Sequence, residues 1–366
     1  MIGSTSMPAS KHVRPIAFYL PQYYPIPEND AWWGKGFTEW TNVAKARPFF
    51  PGHYQPQLPA DLGFYDLRLP ETRKAQADLA REYGIYGFCY YHYWFHGKRL
   101  LERPFDEVLA SGQPDFPFCL CWANGSWNRA WDGQESQLLI RQEYSEADDR
   151  AHGRWLAPAF RDPRYVRIAG KPLFLVYQAS KLPNPLDTTS IWREEAIKQG
   201  VGDLFLCKVQ SFQSDRLDPA RSGFDAAVEF QPDVAALLTV AERAYWRLAR
   251  GLRLIHGALI CRYSAWMKRV MRQPDRPYRR FPCVTPAWDN SPRRNTGAFI
   301  LHGSTPELYE RWLRSVVERF VPTGPGEDLV FLNAWNEWAE GNHLEPCRKW
   351  GLGYLEATRR AVRGES

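Results

Sequence analysis

Two glutamates three residues apart, Glu337 and Glu340, lie in the segment 328–346 (DLVFLNAWNEWAEGNHLEP) and are the positions in this chain best suited to chemistry. If the chain turns helically there, the i, i+3 spacing brings both carboxylates to one face, their Cβ atoms about 5–6 Å apart. Repulsion between two close carboxylates, with desolvation by Trp335 and Trp338, raises one pKa and leaves the other group ionised. That is the division of labour an acid/base pair requires, and the flanking indoles offer flat faces to sugar rings. Other chemistries find less support. No GxSxG is present, and the seven cysteines (89, 119, 121, 207, 261, 283, 347) form no CxxC and mostly lie in apolar runs, so they read as reduced core residues. His92 has no HExxH around it and no second histidine at ligand spacing, and His343 with Glu345 makes two ligands rather than a site. Asp148 and Asp149 open a helix, where they satisfy amides and the helix dipole. No metal and no other cofactor is therefore expected.

A strand must deliver the pair. Leu329–Leu332 is a short apolar run without helical periodicity, preceded by the turn-forming Pro322–Gly326, and suits a strand buried on both faces. Similar runs recur at 13–20, 86–94, 117–124, 172–178, 204–210, 224–231 and 280–289. Amphipathic helices fall at 69–83, 104–112, 145–160 and 191–199, after Thr305, and at 354–362. Eight strands alternating with helices predict an α/β fold, a single (β/α)8 TIM barrel over residues 1–366. A doubly wound sheet is disfavoured because no GxGxxG or GxxxxGK[ST] follows the first strand. Barrel chemistry sits at the C-terminal strand ends, and here those ends carry Tyr91, His92 and Trp94, then Trp122 and Asn124, Tyr177, Gln210, Glu229, Trp288 and Glu337. Two stretches break the rhythm. Residues 22–66 are too rich in Pro, Gly and Trp for a regular element and read as a long functional loop. Residues 233–280 read as one or two basic amphipathic helices inserted between strands six and seven.

Sixteen tryptophans among 366 residues exceed what a core needs, which favours carbohydrate over phosphate chemistry. Net charge is modest, +6, but 243–280 holds eleven basic residues against Asp275 alone, a local surplus larger than that of the whole chain. With interleaved Trp and Leu, that stretch suits peripheral contact with an anionic membrane, or else packs on the barrel as a solvated insertion. The N-terminal residues lack an apolar signal region and no run of 18 apolar residues occurs, so the expected address is cytoplasmic, peripheral at the inner membrane, with no nucleic-acid partner.

Long blocks carry a resemblance: AFYLPQYYPIPENDAWWGKGFTEWTNV at 17–43, DLGFYDLRLPE at 61–71, YGFCYYHYWFHGKRLLERP at 86–104, PDFPFCLCWAN at 114–124, GKPLFLVY at 170–177 and FLNAWNEWAEGNHLEP at 331–346. Over nearly its whole length the chain resembles the WbsX-like proteins, labelled glycosyltransferases of bacterial polysaccharide and lipopolysaccharide biosynthesis and similar to family 99 glycoside hydrolases, the endo-α-mannosidases. The resemblance implies a (β/α)8 barrel and places that family's NEWxEG motif on Asn336–Gly341. It implies Glu337 as a base acting on the sugar's own 2-hydroxyl and Glu340 as the acid, a retaining reaction through a 1,2-anhydro sugar. Ordinary two-carboxylate retention stays open on sequence. Substrate contacts are expected from Trp32, Trp33, Glu39, Trp40, Tyr91, His92, Trp94, Trp122, Asn124, Trp127, Asp132, Tyr177, Gln210, Glu229, Trp288, Asn336, Trp338 and His343. One departure stands out: WbsX-like proteins read WANENWTRRWDG where 122–133 here is WANGSWNRAWDG, so Gly125 replaces a carboxylate and Ala130 a guanidinium. The expected activity is cleavage or transfer of α-linked glycans or glycolipids of surface polysaccharide metabolism. A sugar-nucleotide glycosyltransferase and a noncatalytic glycan-binding protein are the alternatives.

Overall fold

The structure, a computed structural model, describes residues 13–129, 134–252, 254–294 and 296–365. The barrel strands are β1 (Arg14–Tyr19), β2 (Gly87–Phe95), β3 (Phe118–Trp122), β4 (Lys171–Val176), β5 (Phe205–Gln210), β6 (Ala226–Glu229), β7 in two pieces (Arg280–Phe281 and Cys283–Val284) and β8 (Leu329–Leu332). They pair in parallel in that order, and β8 returns to lie beside β1 with Ala17 opposite Leu332. The ring closes through a seam. Arg280–Phe281 pairs with β6, whereas Cys283–Val284 pairs with β8. Pro282 between them has no N–H to offer a ladder, so the strand changes partner there, and its carbonyl accepts from the Phe331 amide at 2.8 Å. The expected strand over 280–289 is thus confined to its first half.

Strands buried on both faces need apolar residues at every position, which accounts for the unbroken LVFL of β8 and PLFLV of β4. Helices Pro70–Glu82, Arg103–Ser111, Glu146–Arg161, Pro185–Lys198, Pro306–Arg319 and Gly353–Arg363 cover the outside. Several start as the sequence predicts: Ser145 and Thr305 accept from the amides of Asp148 and Leu308, and prolines occupy first-turn positions. All seven cysteines are buried thiols.

Three features depart from expectation. The excursion after β1 contains two helices, Pro27–Trp33 and Glu39–Lys45, the latter opened by reciprocal capping between Thr38 and Thr41. They are about two turns each, too short to print an amphipathic period on a Trp-rich sequence. A hairpin pairs Trp127–Arg129 with Gln134–Ile140. The 233–280 insertion holds helices Val234–Leu237, Val240–Gly251 and Tyr263–Met271, together with a strand, Leu259–Arg262, that pairs in parallel with Phe299–His302 as a separate two-stranded sheet. No helix among the described residues is long and apolar enough to cross a membrane.

Candidate active site

Beyond β8 the chain is pinned to the end of β1. The Asn336 side chain accepts from the Leu20 amide at 2.7 Å and donates to the Leu20 carbonyl at 2.9 Å, so one side-chain amide grips both backbone groups of one residue. Tyr23 donates to the Asn336 carbonyl, and the Trp338 amide donates to the Tyr23 hydroxyl at 3.3 Å. Asn336–Glu337 then pairs antiparallel with Asn342–His343, and Trp338–Glu340 forms a single tight 3-10 turn between them. Glu337 therefore enters from an extended residue and Glu340 from the turn, which still presents both carboxylates to one space.

The turn is fixed from behind. The Trp338 ring stacks on His343 with centroids 3.6 Å apart, and its N–H donates to Glu345 at 2.6 Å. Glu345 also accepts from Tyr65 at 2.8 Å and Gln76 at 2.7 Å; burial lifts its pKa to about 7 despite these donors. The Glu340 carbonyl accepts from the Asp289 amide at 2.6 Å. The Asp289 carboxylate in turn accepts from Gln55 at 2.5 Å and from His53 Nε2 at 2.7 Å. Because His53 Nδ1 accepts from the Phe49 amide at 3.0 Å, its proton must sit on Nε2, as this donation requires.

Gly341 ends the turn at φ +56°, and a Cβ there would lie 2.9 Å from the Asp289 Cβ and 2.8 Å from the Gln57 side chain. Gly341→Ala is expected to lose about 1–2 kcal/mol to the left-handed backbone alone, with a further loss from the contact. The expected results are a lower melting temperature and weaker turnover as Glu340 shifts; wild-type values for both would show that the turn tolerates a side chain.

Sequence reasoning did not find Arg293. Its guanidinium donates to Glu337 Oε2 at 2.7 Å and to Glu340 Oε1 at 2.7 Å, while its Nε reaches Glu39 at 3.2 Å. Three carboxylates therefore converge on one cation, leaving two uncompensated negative charges if all ionise. Glu39 is wholly buried and the Glu337 side chain is 7% exposed, against 20% for Glu340, which faces the opening. Burial raises the pKa of Glu337 to about 8, opposed by Arg293 and aided by Glu340 and Glu39; burial raises Glu340 too, again opposed by Arg293. The cluster retains a proton near neutrality and titrates as a unit. The signal for Arg293 was indirect: three carboxylates with no cation assigned, and a Pro–Arg–Arg run directly after a strand end.

The carboxylates open into a cavity of about 300 Å³ at the C-terminal strand ends, lined by Trp33, Tyr91, Trp127, Tyr177, Trp288, Arg293, Glu337 and Glu340, and by Gln22, Tyr93 and Phe230. Trp32 meets Trp127 edge to face, and Trp40 packs on Trp338. Strand alternation explains which of the expected contacts the structure does not bring here. In β2, Tyr91 and Tyr93 point inward, so His92 and Trp94 point outward to the covering helix. His92 there lies 2.9 Å from His152 and stacks on Trp155, and Trp94 donates to Asp148 at 3.0 Å. Trp122 is buried against Trp192 and His152. Asn124 ties the end of β3 to Gln178, Gln210 donates to Tyr278 at 2.8 Å, and Glu229 accepts from Gln231 at 2.6 Å. Asn336, Trp338 and His343 support the turn from behind, as described. Asp132, like Ala130, lies outside the described residues. At Gly125 a Cβ would meet the Gln178 amide at 3.3 Å, so Gln178 crowds the direction that the family's larger side chain would take. Among the described residues no group of three or more His, Cys, Asp or Glu is arranged to hold a metal ion.

The sequence model of a family described as glycosyltransferase WbsX matches residues 15–358. WxcX of Xanthomonas campestris pv. campestris strain B100 is 46% identical over 364 residues, which is 98% of this chain and 51% of that protein. WxcX of strain ATCC 33913 is 47% identical over 352 residues, 95% of this chain and 49% of that one, so the chain spans about half the length of these relatives. A solved glycoside hydrolase-like protein superposes with a TM-score of 0.61 at 15% identity, covering 98% of this chain and 97% of that one. The family 99 endo-α-mannosidase of Bacteroides thetaiotaomicron superposes at 0.58, also at 15% identity, covering 96% and 97%. These two likenesses establish a shared α/β barrel. On the family match and the identity to its relatives, the chain belongs to the glycosyltransferase WbsX family, built on a glycoside hydrolase-like fold.

Proposed function

We propose that the chain cleaves or transfers α-linked glycans at this cleft, with Glu337 and Glu340 as the acid/base pair. The observation that carries the reading is the pair itself: two carboxylates bridged by Arg293 at the floor of an aromatic cavity, at the strand ends where barrel chemistry sits. Glycosidic cleavage needs an acid to protonate the departing oxygen and a second carboxylate to act as base or nucleophile. Tyr and Trp faces supply contact area for sugar rings. The α linkage rests on the barrel's likeness to an endo-α-mannosidase and on the NEWxEG motif. By that motif Glu337 is the base on the sugar's 2-hydroxyl and Glu340, nearer the opening, is the acid.

A second assignment has its own support. Burial holds Glu337 protonated more strongly than its ordinary range, which favours Glu337 as acid and Glu340 as base or nucleophile. Leaving groups separate the two. A glycoside with an activated aryl leaving group needs no protonation, so the glutamine variant of the true acid retains turnover on it and loses turnover on the natural glycan. Retention by Glu340→Gln supports the first assignment, and retention by Glu337→Gln the second.

The family description favours sugar-nucleotide transfer as an alternative. Such a transfer must stabilise a departing diphosphate, usually with a divalent ion or clustered cations, whereas acid/base cleavage uses only the carboxylates. Screening against defined α-glycosides and against sugar nucleotides, with products read by mass, tests the reading. Activity is expected to survive EDTA, and added nucleoside diphosphate is expected not to compete. Loss in EDTA restored by manganese, or tight diphosphate binding by calorimetry, would overturn cleavage in favour of transfer.

A further inference from the structure

The basic run at 243–280 is not one surface. Arg243, Arg247 and Arg250 lie on helix Val240–Gly251; Arg243 donates to the carbonyls of Ala235 and Leu238, and Arg250 lies beside Gly257 and Gly297. Arg276 and Arg279, with Arg280 at the start of β7, line a separate pocket. Arg269 donates through both of its terminal nitrogens to Glu242, the one acid of helix Val240–Gly251, at 2.8 Å each. That pairing leaves the helix with arginines and no unpaired acid.

The helix is inside out for a water-facing element. Its inner side is settled by Ala249, fully buried, and by Trp246, whose N–H donates to the Gly257 carbonyl at 3.1 Å. Its outer side shows Val240 84% exposed, Leu248 57% and, just past the helix, Leu252 61%. These stand at i, i+8 and i+12, with Ala244 at i+4, and so form one stripe. Tyr245, Leu254 and Ile255 extend it. Six of the fifteen large apolar side chains exposed among the described residues fall within these sixteen positions, so the exposure is a patch rather than scatter.

An apolar stripe edged by arginines has the chemistry of an interfacial helix, which buries its apolar face at the headgroup boundary and places cations among anionic headgroups. We infer that helix Val240–Gly251 and the turn after it dock on an anionic lipid surface, bringing the cleft to glycans displayed there. The charge selects this occupant, since arginines with no exposed acid among them complement an anionic surface and not a second copy of the same helix. The position of the helix supplies the functional link, which rests on the proposed activity. His256 stacks on Phe49 with ring centroids 4.4 Å apart; Phe49 binds His53, His53 binds Asp289, and the Asp289 amide holds the Glu340 carbonyl. The His256 carbonyl also accepts from the Gly297 amide at 2.9 Å, at the end of the loop that carries Arg293. These contacts couple the docked helix to the backbone that carries Glu340 and to the loop that carries Arg293.

Sedimentation with vesicles of phosphatidylglycerol and phosphatidylcholine, against phosphatidylcholine alone, tests the inference on the intact chain. Binding is expected to require phosphatidylglycerol and to weaken with salt. Affinity should fall about tenfold or more in Leu248→Glu/Leu252→Glu, and measurably in Arg247→Glu. Both variants change exposed side chains, so wild-type melting temperatures are expected and serve as the folding control. Turnover of a soluble activated glycoside should not change, which keeps a failure of docking distinct from a failure of the proposed chemistry. No binding to anionic vesicles at low salt overturns the inference, as does equal binding by the double glutamate variant. Concentration-dependent dimerisation abolished by Leu248→Glu, without lipid binding, would assign the stripe to a second copy, and its coverage by the remainder of a longer chain, seen as protection of the helix in that protein, would assign it there.

Discussion

Glu337→Gln and Glu340→Gln are each expected to lower turnover of the natural glycan by about 10²–10⁴-fold, the usual contribution of a positioned acid or base. The amide is nearly isosteric, so secondary structure should not change. Thermal stability supplies a check independent of substrate. A carboxyl whose folded pKa is raised binds more protons in the folded than in the unfolded chain over the intervening pH range, so its contribution to stability is present below the unfolded pKa and is lost as pH rises. For Glu337 that window runs from the ordinary carboxylate range up to about 8. Glu337→Gln removes this loss, so the melting temperature of the variant should gain on that of the wild type between pH 5 and pH 8, a window of about 3 units. Near wild-type turnover by either variant would remove that residue from the mechanism, and a melting difference flat across the window would contradict the raised pKa.

Loss of Arg293 is the second large effect. Arg293→Met leaves Glu39, Glu337 and Glu340 facing one another without the guanidinium that now binds all three. Removing one partner from a buried ion pair costs about 3–5 kcal/mol, and this cluster loses the one cation that binds all three carboxylates. The lost attraction raises the carboxyl pKa values further, so the activity profile should move to higher pH as turnover falls, and the stability loss should deepen with rising pH as the groups ionise. Arg293→Lys should recover only part, since a single ammonium cannot reach three carboxylates in the fork geometry of a guanidinium. Adding Glu39→Gln to Arg293→Met should return some stability by deleting one uncompensated charge. Unchanged melting temperature at pH 8 and an unshifted pH profile in Arg293→Met would show that the bridge does not set the properties of the pair.

The parts of the site that were legible in the sequence are those written in local pattern. The apolar run of β8 followed by NEWAEG announced a strand ending in two carboxylates, and the alternation of β2 carried the information that Tyr91 and His92 must face opposite ways. That second inference needed only one anchored residue to fix its sign, and nothing local supplied the anchor. Arg293 was invisible for a different reason: its partners Glu337, Glu340 and Glu39 lie 44, 47 and 254 positions away, and only the closed ring brings the loop after β7 against the helix at Glu39. The two helices of the 22–66 excursion and the partner change at Pro282 are likewise set by what packs on them rather than by their own periodicity.

The seam at Pro282 bears on how the barrel breathes. Each half of β7 holds its neighbour through two paired residues, whereas β2 and β3 share five. Local opening costs least where fewest cooperative hydrogen bonds must break together. The stave most easily loosened is therefore β7, and from it hang both the loop that carries Arg293 and the end of the insertion. The eighth stave, with Glu337 and Glu340 beyond it, is clamped by β1 along its length and by Asn336 at its tip. The charge bridge thus joins a firm wall to a yielding one, and because the Asp289 amide on the same loop also holds the Glu340 carbonyl, loosening β7 would move the guanidinium and the turn together.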